Sequence, residues 1–188
     1  MGGCQTPITM KKSVQNQLNS LNKELATLFR DLKKYSDDDL NWKPSEGKWS
    51  VLQIMEHLIL AEYHSQRYVY KKINYDDNLV KAGVMSSVRS SLISSYLKLP
   101  FSIKAPAAVG TETLAETATF WELVKQWKQQ REDLETFLNS LDSSAFKMQA
   151  YKHPRGGRMS IGHMLNFYKS HFRRHRKQID KILKNFRY

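Results

Sequence analysis

The sequence predicts an all-α protein: a four-helix bundle with an extra helical or irregular segment between the second and third helices. Three observations support this prediction. Apolar residues recur at spacings of three and four along four long stretches, Ser or Thr precedes three of those stretches, and no stretch is convincing as a β-strand. The 188 residues match one domain. We expect that domain to cover residues 11–188, after a leader of residues 1–10 that is disordered or vector-derived.

The first helix is predicted over residues 11–34 from a single apolar stripe. Its members follow at alternating steps of four and three: Val14, Leu18, Leu21, Leu25, Leu28 and Leu32. Residues 35–44 are expected to form a loop. The second helix begins after Ser50, which forms a capping box with Gln53, and we expect it to end near Lys72.

The segment 74–110 has the weakest pattern. Residues 79–97 are compatible with a further helix, although they are rich in serine, and Pro100 and Pro106 predict an irregular connection. A structureless loop of this length is unusual inside a compact domain. We therefore expect either a short helix that covers the bundle or a mobile lid.

The last two long helices are predicted from their caps and apolar stripes. The third is expected to begin at Thr113 with a capping box to Glu116, and Arg131, which interrupts its stripe, is expected to reach solvent along its aliphatic stem. Residues 153–157 predict a turn, and Ser160 caps the last helix.

The chain carries a net charge of +12, with 30 Lys and Arg against 18 Asp and Glu. Residues 151–188 hold eleven of the basic residues and one acidic residue, so most of the excess lies on or near the last helix. Such an excess is typical of proteins that bind nucleic acid, an anionic surface or anionic substrates. No recognised DNA- or RNA-binding motif accompanies it, so nucleic acid is not the expected partner.

The composition also bears on membranes and disulfides. No apolar run approaches the roughly 18 residues that a membrane span needs, so a membrane is not among the expected partners. The single cysteine excludes an intramolecular disulfide and suits a cytoplasmic location.

Three of the six histidines occupy inward positions of the predicted helices. His171 and His175 are about one turn apart on the last helix, in a stripe with Tyr168 and Ile179, and His57 lies in the stripe of the second helix. Three neutral imidazoles with an open fourth position form a recognised catalytic zinc site, and imidazole also suits nickel, iron and copper. The alternatives are a solvated basic helix face for His171 and His175 and a hydrogen-bonded core position for His57.

The other histidines and the nearby carboxylates carry weaker signals. His64 is expected to line a pocket or the surface, and His153 and His163 are expected at the surface. Glu56 and Glu62 fall outside the ligand stripe, so no catalytic residue is assigned. Four basic residues of the last helix either attract anionic ligands or only solvate its outer face: Lys169, Arg173, Arg174 and Arg176.

Two sequence blocks resemble one known family. Residues 42–58 contain a W-x-P motif, a W-S pair and a histidine, His57, seven residues after Ser50. The second block contains His153-Pro154, Gly157, Ser160, His171, His175 and Gln178-Ile179. Together the two blocks resemble the DinB-like superfamily, and the resemblance extends from about residue 11 to residue 184.

The resemblance implies an up-down-down-up bundle with a three-histidine divalent metal centre, whose ligands map onto His57, His171 and His175. Family members resemble metal-dependent hydrolases or thiol (S-)transferases that act with bacillithiol or mycothiol. The expected ion is zinc or nickel, with iron and manganese as alternatives, and the expected cosubstrate is a low-molecular-weight thiol. The chain would be a bacterial enzyme acting on a small molecule, with a homodimer left open. The alternative is a non-catalytic bundle that binds metal or nucleic acid.

Overall fold

The computed structural model describes residues 12–76, 78–99 and 106–185. This part of the chain forms six α-helices and one small hairpin: α1 (Lys12–Leu32), α2 (Asp37–Asn41), α3 (Val51–Tyr75), α4 (Val84–Tyr96), α5 (Phe120–Asn139), β1 (Tyr151–His153), β2 (Gly157–Met159) and α6 (Ile161–Asn185). The predicted all-α fold is confirmed, since α1, α3, α5 and α6 are long helices. The leader expected at residues 1–10 lies outside the described residues.

The first and last helices, α1 and α6, run parallel. Gln17 Nε2 donates to Asn166 Oδ1 at 2.8 Å, and Arg173 Nη2 donates to Glu24 Oε1 at 2.7 Å. From the first hydrogen bond to the second, the residue numbers rise on both helices, so the two helices are parallel.

The two middle helices, α3 and α5, also run parallel. Gln130 Nε2 donates to the Ile59 carbonyl at 3.2 Å, and further along both helices the Tyr70 and Phe137 rings lie 5.4 Å apart. In contrast, α3 and α6 are antiparallel, because Glu62 contacts Tyr168 while the earlier residue His57 contacts the later His171. The four long helices therefore run up, down, down and up, as the family resemblance implies.

A parallel pair of consecutive long helices needs a connection that returns along the bundle. The 25-residue α3 is about 37 Å long, and residues 76–119 span that return. Within it, α4 lies along α6, where Ser94 and Ser170 share a hydrogen bond of 3.2 Å and Ile93 is buried. Of the two sequence-based expectations for this segment, the structure contains the short helix.

Two boundaries differ from the sequence prediction. Residues 37–41 are not loop but α2, because Ser36 and Asp39 form a capping box. The third long helix begins at Phe120 rather than at Thr113, whose hydroxyl instead donates to the Gly110 carbonyl at 2.9 Å in a turn. The short antiparallel hairpin of β1 and β2 was not predicted, although the predicted turn at 153–157 lies at its tip.

The prediction that Arg131 reaches solvent is wrong. Its side chain is buried, with Nη2 2.6 Å from Glu62 Oε1 and Nε 2.8 Å from Glu62 Oε2. Glu62 lies at the same level of the parallel helix α3, so the guanidinium finds its counter-charge inside the bundle. Trp127 Nε1 donates to the same carboxylate at 3.1 Å.

Buried apolar side chains form two clusters along the bundle. One contains Leu138, Phe146 and Met159, near the hairpin, and the other contains Leu58 and Phe172, near the three histidines. In the described part of the chain no helix is both long and apolar enough to cross a membrane.

Candidate metal centre

The side chains of His57, His171 and His175 meet between α3 and α6. The Nε2 atom of His171 lies 3.2 Å from Nε2 of His57 and 3.1 Å from Nε2 of His175. One ring nitrogen from each of the three residues lies within 4.8 Å of the other two. The structure thus brings together the same three residues that the sequence singled out.

The start of α3 determines where His57 points. Ser50 accepts a hydrogen bond from Gln53 N at 3.1 Å, and the Gln53 side chain accepts one from Ser50 N at 3.2 Å. This capping box fixes the first turn. His57, seven residues or two turns later, therefore lies on the same buried face as Ser50.

Hydrogen bonds orient two of the three imidazoles. His57 Nδ1 lies 2.6 Å from the Val109 carbonyl, and His175 Nδ1 lies 3.0 Å from Gln178 Oε1. Both partners are acceptors, so each Nδ1 carries the proton and each Nε2 keeps a lone pair. Metal-binding histidines characteristically donate their other ring N–H in this way.

The three nitrogens fit a divalent ion. With metal–nitrogen distances of about 2.0–2.1 Å, tetrahedral ligands are roughly 3.3 Å apart. The two measured separations, 3.1 and 3.2 Å, are close to that value. A set of three imidazoles suits zinc and nickel as well as iron and copper.

Burial keeps the three imidazoles neutral. The pKa of His171 is well below its ordinary value of 6.5 because of desolvation and the neighbouring His175 and His57. Desolvation, together with His57, lowers the pKa of His175 to about 3, and desolvation also lowers the pKa of His57. Neutral imidazole is the form that binds metal, so no proton has to leave near neutral pH.

Aromatic rings form the walls of the centre. The Trp49 ring lies 4.9 Å from the His57 ring and 6.4 Å from the His175 ring, and its indole N–H donates to Thr111 Oγ1 at 3.0 Å. On the other side Phe167 stacks on His171 with ring centroids 5.1 Å apart. These walls restrict the imidazoles and reduce the access of water.

Residues 109–115 cover the centre on one side. Besides Val109 and Thr111, Ala115 belongs to this cover: its N–H donates to Glu56 Oε2 at 2.9 Å and its carbonyl accepts from Gln53 Nε2 at 3.0 Å. Glu56 is therefore hydrogen-bonded to the cover, and Glu62 forms an ion pair with Arg131. Neither carboxylate belongs to the histidine cluster.

The other three histidines have separate roles. His64 is exposed. His163 is half-buried and caps α6, because its backbone N–H donates to Ser160 Oγ at 3.4 Å while its Nδ1 accepts from Ser160 N at 3.4 Å. His153 is half-buried in the hairpin turn rather than free at the surface. The spacing of Ser160 and His163, equal to that of Ser50 and Gln53, was a signal of the cap.

The basic residues of α6 mostly contact their own protein. Arg173 pairs with Glu24 at 2.7 Å, and Arg176 pairs with Asp31 at 2.7 Å, so α1 neutralises part of the charge on α6. Arg174 donates to the Leu99 carbonyl at 2.8 Å just after α4.

Two surface cavities lie elsewhere on the molecule. One of about 510 Å³ lies beside Tyr70 and Leu141, and one of about 470 Å³ lies between α1 and α5 beside Phe29. Neither cavity is lined by the three histidines.

Comparisons with known proteins identify related sequences. The family model of the DinB superfamily matches residues 17–179. The chain is similar to the uncharacterized protein YuaE of Bacillus subtilis (strain 168), with 21% identity over 165 residues that cover 88% of this chain and 96% of YuaE. No solved structure matches the chain significantly.

Proposed function

The chain belongs to the DinB superfamily, and on that premise we propose that it is a metal-dependent enzyme acting on a small molecule. Its ligands are His57, His171 and His175, which hold one divalent ion. The observation that carries the proposal is the convergence of their three Nε2 atoms inside the bundle, with separations of 3.1 and 3.2 Å. The matched region, residues 17–179, contains all three histidines.

The proposed chemistry is transfer or hydrolysis that uses an activated thiol or water. A divalent ion at this position supplies Lewis acidity and lowers the pKa of a ligand in its open position. Zinc and nickel are the proposed ions, because the three ligands are neutral imidazoles. The alternatives are iron, which imidazole also suits, and manganese, which more often takes oxygen ligands.

The surrounding side chains orient the imidazoles and select the substrate. The Val109 carbonyl and Gln178 fix two imidazole rings, and Trp49 and Phe167 offer apolar walls to a substrate. Arg174 lies close enough to lower the pKa of His171 and His175, so its positive charge favours an anionic ligand. A low-molecular-weight thiolate fits this combination, and we include it as the cosubstrate.

A second candidate function is a non-catalytic metal site that serves structure or sensing. It is favoured by the engagement of Glu56 with Ala115 and of Glu62 with Arg131, which leaves neither carboxylate as a general base. Turnover of a panel of electrophiles, each with and without a thiol, separates the two candidates, because only the enzyme converts the electrophile by transfer or hydrolysis. Nucleic-acid binding is a weaker candidate function, because Arg173 and Arg176 already pair with acidic residues of α1.

Three further parts of the proposal come from the sequence. Residues 11–188 form one domain. The protein is cytoplasmic, a location that its single cysteine suits. The proposal makes no choice between a monomer and a homodimer.

Elemental analysis of protein purified without a histidine tag or added metal tests the site. We expect the natural sequence to retain a divalent ion and both His57→Ala and His171→Ala to lose most of it, because two imidazoles bind more weakly than three. His64→Ala is the matched control, since His64 is an exposed histidine of the same helix. Full metal retention in both ligand variants would contradict the proposal, provided that their circular dichroism shows an intact helical fold.

A further inference from the structure

Helix α4 presents an apolar face to solvent. Its exposed apolar residues recur at steps of three and four and include Val84 and Leu92, which are 80% and 65% exposed. We call these residues the α4 stripe: Val84, Met85, Val88, Leu92, Tyr96 and Leu99. Folded monomers rarely expose contiguous apolar patches above a few hundred Å², and larger patches mark sites of interaction.

The side of α4 that faces the bundle also carries serines. Ser86 and Ser90 are buried there, and Ser94 bonds Ser170 of α6 at 3.2 Å. An amphipathic helix at a protein surface normally does the opposite and buries its large apolar residues. The α4 stripe therefore does not serve the core of this protein, apart from the contribution of the inward Ile93 and Leu97.

The stretch of chain that contains α4 and the stretch that α4 packs against both lack acidic residues. Residues 78–111 and 143–179 contain no Asp or Glu, and α4 from the first stretch packs against α6 and the hairpin of the second. Arg89 Nη1, for example, donates to the Arg158 carbonyl at 3.4 Å. Four exposed basic residues adjoin α4 in the chain or lie on the hairpin that contacts it, and they are called here the basic rim: Lys81, Lys98, Lys152 and Arg158.

The charge of the basic rim indicates which kind of partner docks on this face. A second copy docked through the same face would bring two basic rims together, and like charges oppose each other. An anionic occupant is attracted instead. Large apolar side chains flanked by Lys and Arg are the composition of helices that lie in the interface of an anionic membrane.

We propose that the α4 stripe and the basic rim dock this protein onto the surface of an anionic lipid bilayer. The stripe enters the boundary between headgroups and acyl chains, and the rim contacts the lipid phosphates. Surface docking needs no helix that crosses the membrane. The sequence-based expectation that no membrane is a partner rested on the lack of a spanning run and did not consider this surface. The proposal is independent of the metal centre.

Co-sedimentation of the full chain with vesicles tests the proposal. We expect binding to mixed phosphatidylcholine–phosphatidylglycerol vesicles, little binding to pure phosphatidylcholine vesicles, and weakening by added NaCl because salt screens the rim. Each basic residue near such a surface contributes about five-fold in affinity. Lys98→Gln combined with Lys152→Gln should therefore weaken binding by about 25-fold, and Val88→Ser combined with Leu92→Ser by at least ten-fold.

Matched controls come from other surfaces of the same chain. Trp121→Ser removes an exposed apolar side chain of α5, and Lys125→Gln removes an exposed charge of the same helix; neither should change binding. All these positions are exposed, so circular dichroism and metal content should match the natural sequence.

Several outcomes would overturn the proposal. Equal binding to both kinds of vesicle would show that the charge of the basic rim plays no part. Unchanged binding after Val88→Ser combined with Leu92→Ser would show that the α4 stripe plays no part. A dimer in analytical ultracentrifugation that Val88→Ser and Leu92→Ser dissociate would assign the face to a second copy. Binding to polyglutamate but not to vesicles would assign it to an acidic protein.

Discussion

His153 combines three contacts that its position in the sequence does not reveal. Its Nδ1 accepts hydrogen bonds from the backbone N–H groups of Arg155 at 3.2 Å and Gly156 at 3.1 Å. Its ring lies 4.7 Å from the Phe167 ring. Desolvation, and secondarily the charge of Arg155, lowers the pKa of His153 to about 4. Protonation would also remove the acceptor that organises the hairpin turn.

The low pKa of His153 predicts a loss of stability in mild acid. In the unfolded chain its pKa returns to about 6.5, so between pH 6.5 and 4 the unfolded state binds a proton that the folded state does not. The free energy of unfolding should therefore be highest above pH 6.5 and fall as the pH is lowered through this window. Urea denaturation of the metal-free protein at several pH values measures it.

A substitution isolates the contribution of this one residue. His153→Gln should unfold with a shallower dependence on pH below 6.5, whereas His64→Gln, at an exposed position, should keep the original dependence. An unchanged pH dependence in His153→Gln would mean that other groups cause the loss.

At the scale of residues, sequence reasoning succeeded where burial alone decides. His57, His171 and His175 could be predicted to converge because each lies on an apolar stripe of a long helix. His153, His163 and Arg131 could not be placed in this way. Their positions depend on backbone N–H groups in a turn, on a helix cap and on a carboxylate of another helix. The periodic spacing of apolar residues predicts none of these partners.

At the scale of elements, the contact between α4 and the hairpin depends on a glycine. A Cβ atom added at Gly156 would overlap the side chain of Ile93, mainly at its Cδ1 atom. Ile93 is a buried side chain of α4, so the absence of a side chain at Gly156 lets the hairpin approach this helix. The next residue, Gly157, has a φ of 72°, a left-handed conformation that favours glycine.

Gly156→Ala should destabilise the protein by about 1–3 kcal/mol, the usual cost of overpacking. The same substitution in an Ile93→Val background should cost less, because valine lacks the Cδ1 atom that overlaps. Chemical denaturation of both single variants and the double variant forms a complete cycle. Additive costs would show that the two side chains do not compete for space.

The elements themselves were predictable to different degrees. The four long helices follow from their periodicity, with ends correct to within a few residues for α1 and α3. The predictions for α2 and for the start of α5 were wrong for different reasons. Helix α2 has five residues and depends on the local cap from Ser36. The start of α5 depends on a distant residue, because Phe120 N donates to Asp37 Oδ1 at 2.8 Å. The three-residue strands are too short to show an alternating pattern.

At the scale of the whole molecule, one buried ion pair joins the helices. Glu62 of α3 binds Arg131 of α5 through two hydrogen bonds of 2.6 and 2.8 Å. Arg131 also donates to Asn22 of α1 at 3.3 Å, and the hydroxyl of Tyr168 of α6 donates to the Glu62 carbonyl at 3.0 Å. All four long helices therefore meet in this network.

Arg131→Met should lower the free energy of unfolding by about 3–5 kcal/mol, because the Glu62 carboxylate stays buried without its counter-charge. Combining it with Glu62→Leu should recover much of the loss, since the pair is then replaced by apolar groups. Urea or guanidinium titrations measure both variants.

Arg173→Met is the matched control for this prediction. It breaks an exposed pair with Glu24 and should cost about 0–1 kcal/mol. A similarly small cost for Arg131→Met would contradict the prediction.

The topology was the part of the architecture least accessible to residue patterns. Periodicity locates helices but says nothing about their direction, and the up-down-down-up order was implied by the family resemblance alone. The length of the segment 74–110 was the one physical indication, because it allowed a topology other than simple up-down.

The order of the helices along the chain has a consequence for biosynthesis. His57 lies on α3, its carbonyl partner Val109 follows after α4, and His171 and His175 lie on α6, the final described helix. During translation, α1 to α5 are synthesised before either His171 or His175. The complete three-histidine set therefore cannot form before α6 has been synthesised. Cellular loading with metal would be a step that follows translation of α6, and a ribosome stalled before that helix would display a bundle with one ligand.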